Sequence, residues 1–163
     1  MIVSAAELDA IQAQALAEYP HEACGVIVTR QGERRLIRCR NIQDELHGQD
    51  PLRHPRDART AYYIDPKDLL RIGRLEAEGF SIAVIYHSHI DAGAYFSETD
   101  RRQALVDGAP AYPQATYLVT SVRGGAGGTR VEATTGFAWD PARRDFVPVE
   151  AETLGREDGG TPR

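Results

Sequence analysis

The sequence predicts an α/β (α+β) fold, a central mixed sheet with helices packed on it. Three observations lead there. The run Ile82-Ala83-Val84-Ile85-Tyr86 is continuously apolar, as in a central strand buried on both faces. Short β-rich segments, Cys24-Gly25-Val26-Ile27-Val28-Thr29 and Thr116-Tyr117-Leu118-Val119-Thr120, are bounded by turn residues. Between the strands stand segments with helical apolar spacing and clear caps.

In chain order, Ser4 opens a helix to about residue 18, with Glu7 at capping-box spacing. Leu8, Ile11, Ala15 and Leu16 form its apolar face, and Pro20 ends it. Strands over 24–29 and 35–40 make a hairpin about the turn Gln31-Gly32. Residues 41–60 are rich in Asp, Gln, His, Pro and Arg with almost no apolar periodicity. The expectation is a long functional or mobile loop, followed by a short strand over 61–64. Asp65 caps a second helix, with Pro66 at its first position. Leu69, Leu70, Ile72, Gly73 and Leu75 give it an apolar side, and Gly79 ends it. The apolar run then delivers His87 and His89, and a loop over 90–96 follows. Ser97 opens a third helix to about residue 106, closed by Asp107-Gly108. Further strands are predicted over 116–120, 130–139 and 145–149. The glycine-rich turn at 124–128 lacks the strand-loop-helix context of a phosphate loop. From residue 150 the tail is polar and Gly-rich, and disorder is expected. The organisation is one domain over 1–149 and a tail over 150–163, without internal repeats.

A length of 163 residues suits one core. The net charge of −5 disfavours nucleic acid, which wants a basic face. No apolar run approaches the roughly 18 residues of a membrane span, and the N-terminus lacks a signal-peptide pattern. The expected compartment is the cytoplasm, with neither membrane nor nucleic acid as partner. Cys24 and Cys39 are too few for a disulfide scaffold, and their spacing is not that of a zinc knuckle. Both read as small buried hydrophobes.

The chemistry concentrates in His87-Ser88-His89 and Ser97-Glu98-Thr99-Asp100. Residues i and i+2 on a strand share a face, so His87 and His89 can hold one metal ion. Asp100 sits in a capping-box pattern with Ser97, which would fix its carboxylate beside the strand end. Two His and one Asp leave a fourth position for water, the open arrangement of catalytic zinc. Asp91 is nearby but sits in mid-loop with no element to position it. A proton-transfer partner is also needed, and a Glu is the usual choice. Local spacing does not select among Glu22, Glu45, Glu98 and others.

The spacing His87-Ser88-His89, seven residues, Ser97, two residues, Asp100 resembles the JAMM (MPN+) metallopeptidase motif. That family also carries a Glu before an early strand, and Glu22-Ala23-Cys24-Gly25-Val26-Ile27 matches it. The likeness covers roughly residues 1–140 and is nearest to small single-domain bacterial members, some of which act on ubiquitin-like sulfur carriers. It implies an MPN-type sheet of cytidine-deaminase-like architecture. It further implies one zinc per chain on His87, His89 and Asp100, with Glu22 as general base and then acid. Ser97 would donate to the oxyanion. The implied partner is a ubiquitin-like or sulfur-carrier protein with a Gly-Gly tail. Many members have Pro after the second His, where this chain has Ile90; the expected effect is on loop path rather than metal binding. The alternative is a non-catalytic protein-binding scaffold of the same fold, and the intact set of five residues counts against it. A cytidine deaminase would want His-x-Glu and Pro-Cys-x-x-Cys, and neither is present. The sequence also suggests a narrow substrate groove between segment 61–64, as an exposed strand, and Gly93, Tyr95 and Phe96.

Overall fold

A computed structural model describes residues 1–150. The tail expected to be disordered lies outside the described residues from 151 on. In order, the elements are α1 (Ala5–Glu18), β1 (Cys24–Arg30), β2 (Glu33–Cys39), α2 (Gln43–Gln49), α3 (Pro66–Ala77) and β3 (Ser81–Ile90). Then come α4 (Glu98–Ala104), β4 (Leu105–Val106), β5 (Ala109–Pro110), β6 (Thr116–Arg123), β7 (Arg130–Asp140) and β8 (Asp145–Pro148). Six strands form one sheet in the order β2-β1-β3-β6-β7-β8. Its one parallel pair is β3 with β6; all its other neighbours are antiparallel, so the sheet is mixed.

Strand alternation divides the core between the two faces. Ile27, Val84, Tyr86 and Leu118 pack with Leu8 and Ile11 of α1. Val26, Val28, Ile85, Tyr117 and Val119 pack with Ile72 and Leu75 of α3. Strand β3 is therefore covered on both sides, as its unbroken apolar run predicts. Ser4 caps α1 with the full reciprocal box: Glu7 N–H donates to Ser4 Oγ, and Ser4 N–H to Glu7 Oε2.

Gly25 is required by a close approach. A Cβ there would lie 2.2 Å from the Tyr86 hydroxyl oxygen and 2.5 Å from the Ile37 carbonyl. The same hydroxyl donates to Gln14 Oε1 at 2.6 Å, and Gln14 Nε2 donates to the Cys24 carbonyl at 3.1 Å. This buried link ties α1 to the start of β1. Cys24 and Cys39 face each other across β1 and β2 as free, buried thiols. Burial pushes the Cys39 thiol up to about 12 and also raises Cys24, so neither is a nucleophile at neutral pH.

Four expectations are corrected. Residues 41–60 are not a plain loop, because α2 forms within them. Segment 61–64 makes only a single bridge, Asn41 to Ile64, and is not a sheet strand. Asn41 captures its backbone instead: Oδ1 accepts from Tyr63 N–H, and Nδ2 donates to the Ala61 carbonyl. The third helix stops at Ala104, where the chain turns into the β4–β5 hairpin. Asp107 (φ 50) and Gly108 (φ 77) are both left-handed there, the geometry of a tight hairpin turn. In α3, Leu69 and Leu70 face solvent, and only Ile72 and Leu75 are buried.

Candidate metal centre

Strand β3 runs on to Ile90, past the apolar segment, and so holds both histidines rigidly at its end. Parity puts His87 and His89 on the same face as Ile85. Antiparallel pairing with β1 sets Cys24 opposite His87, which brings Glu22 to the same end of the sheet. The capping box of α4 supplies the remainder. Asp100 N–H donates to Ser97 Oγ at 3.0 Å, and Ser97 N–H to Asp100 Oδ2 at 2.8 Å.

His87, His89 and Asp100, all buried, each offer one ligand atom within 4.8 Å of the others. The two Nε2 atoms are 3.2 Å apart. His87 Nε2 lies 3.1 Å from Asp100 Oδ1, and His89 Nε2 lies 3.2 Å from Asp100 Oδ2. A tetrahedral zinc with ligands at about 2.0–2.1 Å needs ligand atoms roughly 3.3 Å apart. Each imidazole nitrogen stands near that spacing from the other and from one Asp100 oxygen, so the donor set suits such an ion. The tautomer fits as well. His89 Nδ1 lies 2.9 Å from the Gly93 carbonyl, which can only accept, so Nδ1 carries a proton and Nε2 is the atom that would turn its lone pair to an ion. His87 Nδ1 is buried with no hydrogen-bond partner among the described residues. Packing orients this ring instead, with Tyr62 stacked on it at 4.7 Å.

Glu22 is 5% exposed and opens into the same cavity as His89, Ser97 and Asp100. Burial, helped by the Asp100 charge, pushes its carboxyl up to about 9, while Arg56 pulls the other way. Burial would also raise Asp100. The His87 charge and the bonds from both imidazoles and Ser97 N–H outweigh it and hold Asp100 well below the usual carboxylate range. A divalent cation between the carboxylates would favour the ionised form of both. The Glu22 backbone is pinned: its N–H donates to the Ala58 carbonyl at 2.7 Å, and its own carbonyl accepts from Asn41 Nδ2 at 2.9 Å. Ser97 Oγ accepts from Asp100 N–H, which leaves the hydroxyl proton to donate into the cavity.

The five residues singled out in the sequence thus converge on one cavity region. Others went unread. Ser88 faces away from the histidines; its Oγ accepts from Ala23 N–H at 2.7 Å, and its N–H donates to the Ala23 carbonyl at 2.9 Å. It locks the residue after Glu22 to the residue between the histidines. Arg56, Arg59 and Thr60 line the cavity, and nothing but the arginine content of their segment could have signalled them. Asp91 is firmly placed, contrary to expectation. It accepts from Tyr19 Oη at 2.8 Å, Arg59 at 2.7 Å and Gly124 N–H at 2.8 Å. It is not one of the metal-competent group.

The suggested groove changes accordingly. Tyr95 does form a wall, with its ring edge-on to His89 at 5.0 Å. Phe96 turns into the core against Tyr117, Phe137 and Phe146. Gly93 acts through its carbonyl on His89. Ile90 ends β3, buried and paired with Val122.

Among known proteins, the model for prokaryotic homologs of the JAB domain matches residues 4–140. The tail tip assembly protein K of Escherichia phage N15 is 35% identical over 96 residues, 59% of this chain and 33% of that protein. This chain thus spans about a third of that relative's length. The CysO-cysteine peptidase of Mycobacterium tuberculosis is 30% identical over 124 residues, 76% of this chain and 74% of that one. A Thermus thermophilus protein, by name a TtuB-protein conjugate cleaving protease, is 35% identical over 98 residues, 60% of this chain and 58% of that protein. A Salinibacter ruber protein solved in solution superposes with a TM-score of 0.55 at 28% identity, covering 98% of this chain and 94% of its own.

Proposed function

The chain belongs to the prokaryotic homologs of the JAB domain, and we propose that it is a zinc-dependent peptidase. Its substrate is the amide bond at the C-terminal Gly-Gly end of a ubiquitin-like or sulfur-carrier protein. The observation that carries the reading is the convergence of His87, His89 and Asp100 at tetrahedral spacing beside Glu22. The two relatives named as a peptidase and a protease support the substrate class. The catalytic unit is residues 1–149, in keeping with the span matched by the family model.

His87, His89 and Asp100 would hold the ion. A zinc ion there supplies a Lewis acid for the scissile carbonyl and lowers the pKa of a water toward about 7. Glu22 takes the proton from the attacking water and passes it to the leaving amine. Ser97 donates its hydroxyl proton to the oxyanion as charge develops. Tyr95 and the fixed 56–60 segment bound the tail. Glycines there let the tail backbone approach closely because they carry no side chain. The experiment offers carrier fusions ending in Gly-Gly-X, Ala-Ala-X and Val-Val-X to zinc-loaded protein. Cleavage should fall steeply along the series and stop with a chelator. Equal cleavage of all three would reject the narrow groove, and zinc binding without any cleavage would favour a binding scaffold.

A further inference from the structure

Beside the candidate centre lies a second hollow of about 340 Å³, between segment 53–56 and helix α4. Arg53, His54, Arg56, Arg102 and Gln103 line it, and none of its lining residues is Asp or Glu. Arg56 also lines the cavity of the centre, so the two spaces share a wall. The segment that carries the arginines is held by polar ties. Arg53 N–H donates to Asp50 Oδ1 at 3.0 Å, Gln43 Nε2 to the Arg56 carbonyl at 2.8 Å, and Ala58 N–H to Asp44 Oδ1 at 2.6 Å. This frame presents cations that the chain itself leaves unused. The Arg53 and Arg56 side chains are exposed and make no hydrogen bond or ion pair with a described residue. Arg102 has only Glu98, 3.6 Å away in an exposed pair across one helical turn, which contributes little. A hollow between β2 and α3 also has three arginines, Arg35, Arg71 and Arg74, but Glu78 shares it and Arg35 is paired with Glu33 at 2.6 Å.

We propose that this hollow docks an acidic patch on the body of the protein whose tail enters the centre. The inference rests on the peptidase reading and adds to it a second contact, away from the scissile bond. A guanidinium pairs with a carboxylate through charge-assisted hydrogen bonds, two in parallel where the geometry allows. One exposed pair contributes little; several on one fixed frame orient the partner and speed its arrival. Their backbone is already ordered, so docking does not have to order it. The chain as a whole carries a net charge of −5. An acidic partner is therefore repelled elsewhere and drawn to this local reversal of sign. Carboxylates suit the hollow better than a nucleic acid does. Tyr63 is the one Tyr, Phe or Trp in its lining, which gives successive bases no platform to stack on.

The test uses two labelled peptides capped at both ends, one of alternating Asp and Glu and one of alternating Asn and Gln. Binding is read by fluorescence anisotropy on the full chain, with zinc and after a chelator. The acidic peptide should bind at least about tenfold tighter, the scale of one or two charge-assisted pairs. The preference should shrink as salt rises and be the same with and without zinc. Arg53→Gln with Arg102→Gln should erase it, and lysine at both positions should restore part of it. Arg71→Gln with Arg74→Gln, which removes the same charge from the other hollow, should leave it intact. Equal binding of the two peptides, equal loss in both double variants, binding of the acidic peptide only with zinc, or displacement by a single-stranded RNA at equal concentration would each overturn the docking site. A second arm places the same acidic or amide segment ahead of Gly-Gly-X in a carrier fusion. The acidic fusion should be cleaved with a KM at least about tenfold lower, and Arg53→Gln with Arg102→Gln should remove that advantage. Selective binding without cleavage of either fusion would keep the docking site and overturn the peptidase reading. Cleavage of both fusions with equal KM would overturn the docking role and keep the peptidase.

Discussion

Glu22 and Asp100 are two carboxylates in one cavity with opposite protonation habits. Burial and the Asp100 charge raise the Glu22 carboxyl toward about 9, a shift that an ion at the site would reverse, while the neighbouring imidazoles lower Asp100. Such a split separates a proton carrier from a ligand. Glu22→Gln should therefore keep one equivalent of zinc by elemental analysis and slow hydrolysis by at least about 10²-fold. His87→Ala and Asp100→Ala should each lose most of the zinc; full retention by both would reject the ligand assignment. Ser97→Ala would remove the proposed oxyanion donor and should cost about 10²–10³ in turnover. It also removes the acceptor for Asp100 N–H, so about 1 kcal/mol of stability should go with it. The grouping of His87, His89, Ser97 and Asp100 was legible because one strand end and one helix cap hold all four. Glu22 needed a strand pairing across more than sixty residues (Cys24 against His87), so local spacing could not choose it and the family resemblance did.

At the scale of elements, the junction of β1 and β3 matters most. Ser88 joins them through two hydrogen bonds to Ala23. Ser88→Ala leaves a buried N–H unpaired, which costs about 1–3 kcal/mol. It should also slow turnover with zinc content unchanged, since only the Glu22 side of the site loses its tie. Threonine at the same position should restore both. Gly25→Ala drives a methyl into Tyr86, and urea unfolding should show a loss of about 1–3 kcal/mol. Elements with caps and a clear period, such as α1 and β3, could be read directly. Residues 41–64 could not, because their order comes from long-range polar ties. Asn41, Gln43 and Asp44 bind carbonyls and N–H groups further along the chain at Arg56, Ala58, Ala61 and Tyr63. Hydrophobic periodicity is silent about such ties.

Across the whole molecule, Asp91 joins the end of α1, the arginine segment and the β6–β7 turn. The Gly124 N–H and the Tyr19 hydroxyl, with Arg59, hold its carboxyl below the ordinary range. Its folded pKa lies below the unfolded value near ~3.9. The stability it contributes is complete above that value and is lost as pH falls through the folded one. Urea midpoints at about pH 6 and about pH 3 should differ less in Asp91→Asn than in the parent; an equal difference would remove Asp91 from the acid response. No helix among the described residues is long and apolar enough to cross a membrane. One more consequence follows from the outer position of β2 in the sheet. It is an edge strand, and Arg34, Arg35 and Arg38 stand exposed along it. An unpaired edge is a template for a strand of another molecule, and charged side chains along it, here Arg38 and the ion pairs Arg34–Glu7 and Arg35–Glu33, blunt that template. Threonine at all three positions keeps the strand propensity and removes the charged edge. Light scattering should then rise with concentration while the fold persists. An outer strand thus governs how crowded a solution the protein tolerates before its molecules stick.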